Sequence, residues 1–468
     1  MAVAAAYLVP HPPLIFPEVG RGKQLEIRET TDAYLAVSEE VAALRPDTVV
    51  VVSPHAVMYA DYFHISPGRS AAGDMKQFGA SGLRIGADYD EEFAERLASL
   101  SDDRGFPAGV LGEKDGRLDH GTSIPVRFLK TAFEKAGIWG VRFVRAGVSG
   151  LSVEDHYRFG LLIRETAAVL DRKTVFIASG DLSHKLSDSG PYGYAPEGPA
   201  FDKLVMKTVR TADFLPILEL GSDFCEKAGE CGHRPLVVMA GALDGDAVVS
   251  KLFSYEGPFG VGYGVGSFLV TGRSEERCFL DRYLENERAR AEARRRRESP
   301  QVSLARRTVE CYVRTGRLYE APEPLPPELR ESRAGVFVSI KKQGALRGCI
   351  GTIAPAAENV GEEIRGNAVS AAARDPRFDA ITPEELPYLS YSVDVLQPAE
   401  EIRGESALDP KRYGVIVTLG GKRGLLLPDL EGVDTADEQL RIAMQKADIA
   451  ERDRGRVKLE RFEAVRYT

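Results

Sequence analysis

The chain has 468 residues, of which 43% are hydrophobic and 28% charged, so we expect a globular protein of two or three domains. Its net charge of −9 argues against a general nucleic-acid-binding protein, because phosphate recognition needs a basic surface. No apolar run is long enough for a transmembrane helix, no signal peptide is evident, and five scattered cysteines outside CxxC pairs fit a reducing cytoplasm.

Residues 1–272 alternate between apolar strands and amphipathic helices. The strand "TVVVVS" is apolar on both faces, which is typical of the buried centre of a parallel sheet. Helical segments such as "IRETTDAYLAVSEEVAAL" follow the strands in turn. We therefore predict an α/β domain with a largely parallel central sheet covered by helices.

Residues 273–299 are predicted to form a charged helical linker. The segment ends in "RRRR", which has two interpretations: a nucleic-acid contact, or the solvated face of a helix that also carries many glutamates. We favour the solvated face, because the basic and acidic residues alternate along it.

Residues 300–468 are predicted to form a separate α+β domain. A helix comes first, then a hairpin with a turn at "QG", and then a second helix. The segments "LSYSVDVLQPAEEI" and "YGVIVTLGGKRGLLLP" are read as one strand each, followed by a third helix and a final strand. None of the seven histidines lies in this domain, which excludes histidine-based catalysis there.

Three histidines directly follow predicted strands of the first domain. His11 ends "AAAYLVPH", His55 ends "TVVVVSPH" and His184 ends "TVFIASGDLSH". Ligands of open parallel sheets bind beyond the carboxyl ends of the strands. If these strands are neighbours, their imidazoles converge on one edge of the sheet, although each histidine taken alone is also consistent with an ordinary turn residue.

Further polar groups stand close to these strand ends. Asp181 lies beside His184 in "GDLSH" and is placed to fix its tautomer or raise its basicity. His120 stands in a loop before a helix, and Glu230 and Cys231 precede another helix. Two imidazoles and one carboxylate form the facial triad that suits ferrous iron. The alternatives are a helix-capping role for the glutamate and a small buried side chain for the cysteine.

The first domain resembles the class III extradiol ring-cleavage (LigB-type) dioxygenases, a superfamily that includes the Memo proteins. The resemblance is carried, in order along residues 1–272, by "VPHPPLI", "VVVVSPHA", "LDHGTSIPVRFL", "IASGDLSH" and "GECGHRPLVVMAGAL". It implies that His11, His55 and Glu230 bind Fe(II), that His120 lines the active site, and that His184 is the acid–base catalyst.

The Memo branch offers a different ligand set. There, a cysteine that corresponds to Cys231 lies near the metal, and this chain carries Glu230 and Cys231 side by side. A glutamate ligand favours a dioxygenase acting on a catecholic or similar aromatic substrate. A thiolate favours a Memo-like metal-binding, peptide-binding or redox module, in which zinc, copper or manganese are alternatives to iron. A metal-assisted hydrolase is a third reading, since such a site can also activate water.

The second domain resembles the AMMECR family through "LRGCIGT", "AARDPRF", "EELPYLSYSVDVL" and "RFEAVRY". The fusion resembles the AmmeMemoRadiSam arrangement, which implies a radical S-adenosylmethionine protein as a partner, and a homo-oligomer is compatible with it. The resemblance brings no known reaction. Cys349 of "LRGCIGT" is either a packed side chain or a thiol made reactive by Arg347.

Overall fold

In the computed structural model, residues 2–321, 324–342, 344–430 and 432–468 are described. The chain divides into two compact units, Met1–Asn286 and Glu287–Thr468. The division falls inside the segment 273–299 that we predict to be a linker. Among the described residues, no helix has both the length and the apolar character needed to cross a membrane.

Among its described residues, the first unit has ten strands and nine complete α-helices. Its strands are β1 (Val3–Val9), β2 (Thr48–Ser53), β3 (Phe63–His64), β4 (Ser70–Met75), β5 (Ala80–Asp88), β6 (Ala108–Gly109), β7 (Arg142–Gly147), β8 (Thr174–Ser179), β9 (Asp246–Glu256) and β10 (Tyr263–Arg273). Its α-helices are α1 (Pro17–Gly20), α2 (Arg28–Leu44), α3 (Glu91–Asp103), α4 (His120–Lys135), α5 (Val153–Val169), α6 (Glu197–Thr211), α7 (Leu215–Leu218), α8 (Ser222–Ala228) and α9 (His233–Ala242). Short 3-10 helices span Pro13–Ile15, Lys23–Ile27, Lys76–Phe78 and Glu275–Arg277.

A six-stranded sheet forms the centre of the first unit, with the order β7-β2-β8-β1-β10-β9. The first four strands are parallel, and β10 and β9 run antiparallel. The mostly parallel sheet that the sequence predicts is therefore confirmed, with two antiparallel strands at one side. Since β1, β2 and β8 are parallel neighbours, their carboxyl ends lie at one edge of the sheet.

Helices cover both faces of this sheet. Successive residues of β1 point into opposite cores: Leu8 packs beside α5 and α9, whereas Tyr7 packs beside α2 and α4. Both side chains are fully buried. Burial of an apolar side chain contributes about 1.5–3 kcal/mol, so a strand that is apolar on both faces is held firmly between two helical layers.

Two small sheets lie outside the main one, and the sequence analysis assigned no strand to either. The strands β3 and β6 pair in parallel, and β4 and β5 form an antiparallel pair. The chain between β4 and β5 carries Phe78, which contacts the candidate site described below.

The second unit begins within a long helix, α10 (Phe279–Arg297). Its other α-helices are α11 (Pro300–Thr315), α12 (Pro327–Arg330), α13 (Val360–Ala373) and α14 (Ala436–Lys446). Its strands are β11 (Val336–Lys342), β12 (Ala345–Gly351), β13 (Leu389–Leu396), β14 (Glu400–Ile402), β15 (Gly414–Leu419), β16 (Lys422–Leu426), β17 (Lys458–Phe462) and β18 (Ala464–Tyr467). Three further 3-10 helices span Pro383–Tyr388, Glu405–Ala407 and Glu451–Arg456.

These strands form two antiparallel sheets, β12-β11-β13-β18 and β14-β17-β15-β16. Helices α11 and α13 pack on the first sheet, and α14 packs on β15 and β16. The predicted hairpin is β11–β12; Gln343 of its turn lies outside the described residues, and Gly344 has a φ of 89°. Two segments read as one strand each are two strands each. "LSYSVDVLQPAEEI" forms β13 and β14, which lie in different sheets. "YGVIVTLGGKRGLLLP" forms β15 and β16, because Gly420 (φ 60°) turns the chain back between them.

Within the "RRRR" run of α10, two arginines make ion pairs inside the second unit. Arg295 lies 3.1 Å from a carboxylate oxygen of Glu310, and Arg296 lies 3.5 Å from one of Glu292. Part of this basic charge is therefore neutralised by neighbouring glutamates.

Candidate metal centre

The carboxyl ends of β1 and β2 bring three imidazoles together. The Nε2 atoms of His11 and His55 are 3.1 Å apart. The ring of His120, the first residue of α4 rather than a loop residue, lies 4.2 Å from that of His55 and 5.2 Å from that of His11 between centroids. His11 is buried, whereas His55 is exposed. The convergence follows from the strand order, which places β1 and β2 on either side of β8.

The thiol of Cys231 completes this group. Its Sγ lies 3.5 Å from Nε2 of His11 and 3.8 Å from Nε2 of His184. The ligand atoms of His11, His55 and Cys231 all lie within 4.8 Å of one another, so one metal ion can bind all three. The structure thus brings together three of the four predicted metal ligands, with His184 beside them.

Two glycines allow the cysteine to approach the sheet. A Cβ on Gly180, just after β8, would lie 2.3 Å from Cα of Gly232. The backbones therefore touch at a distance that only glycine permits. Next to this contact, the Asp181 N–H donates a 3.3 Å hydrogen bond to Sγ of Cys231.

Glu230 does not join His11 and His55. Its carboxylate accepts a 2.6 Å hydrogen bond from the backbone N–H of His233, at the start of α9. It falls instead in a second group of ligand atoms with Cys225 and His233. The side chains of the adjacent Glu230 and Cys231 therefore diverge, and that of Cys231 points to the strand ends, so the fold does not bring Glu230 to His11 and His55 as the resemblance implies. Burial raises the pKa of Glu230 to about 7.

The imidazoles are held neutral, as metal ligation requires. Burial, followed by the neighbouring His55, lowers the pKa of His11 to about 3. Burial and the two neighbouring imidazoles lower the pKa of His120 to about 3 as well. Desolvation also lowers the pKa of His55 and His184. Nδ1 of His11 is 3.0 Å from Oγ of Ser179, so its Nε2 is the atom that faces the other ligands.

Asp181 supports the site through the backbone of β1. Its Oδ1 accepts a 2.7 Å hydrogen bond from the His11 N–H. Burial raises the pKa of Asp181 to about 6, although the His11 N–H and the neighbouring His184 and His55 favour the charged form. This carboxylate therefore fixes the strand end and adds a titratable group beside His184.

A buried ion pair behind the histidines was missed by the sequence analysis. Asp119 caps α4 by accepting from Thr122 N–H at 2.9 Å, and it also accepts from Oγ of Ser53 at 2.6 Å and Nε of Arg145 at 3.1 Å. Burial opposes ionisation, but Arg145 and the hydrogen bonds outweigh it and hold the pKa of Asp119 below its usual value. Its position before "HGTS" is a helix-capping signal, but the partner Arg145 on β7 is distant in sequence.

Aromatic rings border the imidazole group on two sides. The ring of Phe78 lies 5.1 Å from that of His120, and the ring of Tyr192 lies 5.2 Å from that of His184. Tyr192 is 61% exposed, so it stands where a ligand would enter from solvent. Such rings suit a planar or apolar ligand.

The comparisons with known proteins agree with this architecture. Residues 5–266 match the family described as "Catalytic LigB subunit of aromatic ring-opening dioxygenase", and residues 302–467 match the AMMECR1 family. A protein of Clostridium acetobutylicum is 38% identical over 459 residues, which is 96% of each chain. A protein of Thermotoga maritima is 53% identical over 171 residues, covering 36% of this chain and 98% of its own.

Among solved structures, an uncharacterized protein of Pyrococcus horikoshii is 35% identical, covers 36% of this chain and 88% of its own, and has a TM-score of 0.33. The family match spans more than half of the chain. The chain therefore belongs to the LigB family of catalytic subunits of aromatic ring-opening dioxygenases, and it carries an AMMECR1 domain after the LigB domain.

Proposed function

We propose that the first domain is a metal-dependent oxidoreductase whose metal is held by His11, His55 and Cys231. The observation that supports this most directly is the convergence of two Nε2 atoms and one Sγ within 4.8 Å, with Glu230 turned away. Imidazole and thiolate ligands suit iron, copper and zinc, and a thiolate disfavours manganese. A bound redox-active ion would supply electron transfer between a substrate and an oxidant at open coordination positions.

The residues around the ligands support proton transfer. His184 is neutral near pH 7, because burial lowers its pKa, and its Nε2 is 3.8 Å from the thiol sulfur. A neutral imidazole at this distance can accept a proton from Cys231 or from a substrate hydroxyl. Burial raises the pKa of the Cys231 thiol well above its usual value, so a cation is needed to stabilise the thiolate.

Ring-opening dioxygenation is the second candidate function. The family match favours it, as do the aromatic rings of Phe78 and Tyr192 at the edge of the site. In this reaction Fe(II) would be the metal, a catecholic ring the substrate, and both oxygen atoms of O₂ would enter the ring-opened product. His184 would act as the base for the substrate hydroxyl and His120 would line the substrate position.

Metal titration under anaerobic conditions tests the ligand set. Purified chain, stripped of metal, is titrated with Fe(II), Cu(I), Zn(II) and Mn(II), and the charge-transfer absorption of a Co(II) adduct reports thiolate ligation. We expect Cys231→Ser to weaken binding at least about 10-fold and to abolish the thiolate band. Glu230→Gln should retain both, and Cys311→Ser serves as a matched cysteine control. The ligand set is wrong if Glu230→Gln loses the metal and Cys231→Ser keeps it.

Oxygen uptake by the iron-loaded protein tests the second candidate. A series of catechols is screened for O₂ consumption and for the absorption of ring-opened products. His184→Gln should retain iron and lose about 10²–10⁴-fold in turnover, the usual contribution of general acid–base catalysis. Iron bound as expected without uptake on any catechol would exclude ring opening and leave the metal centre itself intact.

A further inference from the structure

A cavity of about 950 Å³ lies in the second unit, and no histidine lines it. One face of the sheet β12-β11-β13 forms part of its lining, and Leu389 and Tyr391 line it from the opposite face of β13. The side chains of Cys349, Ser339 and Ser392 form a row across these three strands, since Ser339 pairs with Cys349 on one side and with Ser392 on the other. Ser339 Oγ donates to Cys349 Sγ at 3.2 Å. The opposite face of β11 is apolar and buried, so the polar row belongs to the cavity alone.

The walls of this cavity are strongly basic. Eight lysines and arginines line it, against two carboxylates, Glu298 and Asp429. Three of these cations, Arg377, Lys446 and Arg466, line the cavity together with Cys349, and Arg377 donates to the backbone carbonyl of Cys349 at 3.1 Å.

Not all of this charge is neutralised within the fold. Arg377 pairs with Asp375 at 2.7 Å, and Arg466 pairs with Asp394 at 2.8 Å. Lys446, which also lines the cavity, has no ion pair within 4 Å among the described residues. It therefore adds a positive charge to the cavity wall that a negatively charged ligand would balance.

A buried hydroxyl also lines the cavity, on the opposite face of β13 from Ser392, because Tyr391 pairs with Ile340 of the apolar face. Tyr391 lines the cavity and is 8% exposed, and its hydroxyl has no hydrogen-bond partner among the described residues. An unpaired buried hydroxyl costs about 1–3 kcal/mol. Apolar side chains complete the lining, among them Leu346, Leu425 and Leu427, so the cavity is not suited to an inorganic anion alone.

The position of Arg347 excludes the arrangement first considered for Cys349. Its guanidinium donates to both oxygens of Glu385, at 3.0 and 2.9 Å, and to the carbonyl of Asp379. It does not line the cavity. The cations that line the cavity with the thiol come instead from α14, from β18 and from the loop after α13, segments distant from Cys349 in sequence.

We propose that this cavity is a second binding site of the protein, which takes a small organic anion with an apolar body and holds its charged group between Lys446 and the row of Ser339, Cys349 and Ser392. A volume of about 950 Å³ accommodates a molecule of drug-like size. Cys349 is the nucleophilic group at the charged end of that ligand. The proposal is independent of the metal centre, because every residue it uses lies in the second unit.

An anionic and a neutral alkylating reagent test whether the cavity prefers a negatively charged ligand. Iodoacetate carboxymethylates a thiolate and iodoacetamide carbamidomethylates it, each with loss of iodide. Only iodoacetate is an anion. The rates at Cys349 and at Cys311, a thiol of α11, are measured on the full chain by peptide mass spectrometry. We expect the iodoacetate-to-iodoacetamide rate ratio to be at least about 10-fold higher at Cys349, because cationic clefts concentrate anions by such factors. Equal ratios at the two cysteines would overturn the proposal.

Variants and competitors identify the groups responsible. Lys446→Met should lower the ratio at Cys349 towards that at Cys311 and leave the iodoacetamide rate within about twofold, because it removes an attracting charge without closing the cavity. Lys458→Met, on β17 and outside the lining, should change neither rate. Benzoate should protect Cys349 from iodoacetate and its neutral analogue benzamide should not. An unchanged ratio in Lys446→Met, or protection by both compounds or by neither, would refute the assignment.

Discussion

Replacing Asp119 by asparagine should destabilise the first unit more than the same Asp→Asn substitution at the start of another helix. Asparagine keeps one oxygen for the Ser53 hydroxyl and the Thr122 N–H, but it puts an NH₂ group where Arg145 now donates at 3.1 Å. The Arg145 side chain is 3% exposed, and the other carboxylate near it, of Glu113, is 3.8 Å away. The variant therefore leaves a buried cation whose nearest remaining carboxylate among the described residues is that of Glu113, at 3.8 Å.

The magnitude follows from that burial. Removing one partner of a buried ion pair costs about 3–5 kcal/mol, whereas loss of a helix cap costs about 1 kcal/mol. Domains of about 150–250 residues lose about 2–4 °C of Tm per kcal/mol, so we expect a fall of about 6–20 °C for Asp119→Asn. The matched control is Asp155→Asn, in the capping box of α5, which should lower Tm by about 2–4 °C.

A double-mutant cycle separates the ion pair from the cap. Thermal unfolding of the metal-free chain is followed by circular dichroism for Asp119→Asn, Arg145→Met and the double variant. If the unpaired Arg145 cation causes the destabilisation, the free energy of unfolding lost in the double variant is smaller than the sum of the losses in the two single variants by at least about 1 kcal/mol. Additive losses would refute this account of Asp119.

The same pair predicts a pH dependence. The pKa of Asp119 in the folded protein lies below its unfolded value of about 3.9, so its contribution to stability is present above about pH 4 and is lost as the pH falls through the folded-state pKa. The slope of stability against pH on the acid side should therefore be smaller in Asp119→Asn than in the wild type. Identical slopes would show that this carboxylate is not selectively stabilised in its charged form.

Three further predictions concern the strand ends. Gly180→Ala should destabilise the first unit by about 1–3 kcal/mol and weaken metal binding, because its Cβ would lie 2.3 Å from Cα of Gly232. Gly82→Ala, where nothing lies within 4 Å of the added Cβ, should do neither. Equal unfolding midpoints of the two variants would contradict this prediction. Burial raises the pKa of the Glu230 carboxyl to about 7, so folding favours its protonated form and the wild type should lose stability as the pH rises from about 4.5 to about 7. Glu230→Gln should not show this loss when denaturant unfolding is measured in chelator across that pH range. The same pH profile in both proteins would count against this account. A metal at 100 times its Kd should stabilise the wild type by about 2.7 kcal/mol and Cys231→Ser by much less, which calorimetry with and without metal measures; equal stabilisation would remove the thiol from the site.

Several features could be predicted from local sequence. The run "TVVVVS" is apolar on both faces, and it forms β2 in the parallel part of the sheet with both faces buried. His11, His55 and His184 follow strands that prove to be parallel neighbours, so the expectation that they approach one another at one edge was sound. The Gly420 turn was missed, because two short strands joined by a tight turn have the same apolar pattern as one long strand.

The sequence by itself determined which segments form the main sheet of the first unit and which imidazoles stand at its strand ends, because hydrophobic period and turn residues act locally. Only the tertiary structure decided which of two neighbouring side chains lies beside the histidines. Glu230 and Cys231 are adjacent, and nothing local distinguishes them. In the fold, the thiol lies 3.5 Å from Nε2 of His11, whereas the carboxylate accepts from the His233 N–H. Long-range packing sets the direction of a side chain, and that direction determines which of the two neighbours can reach a metal.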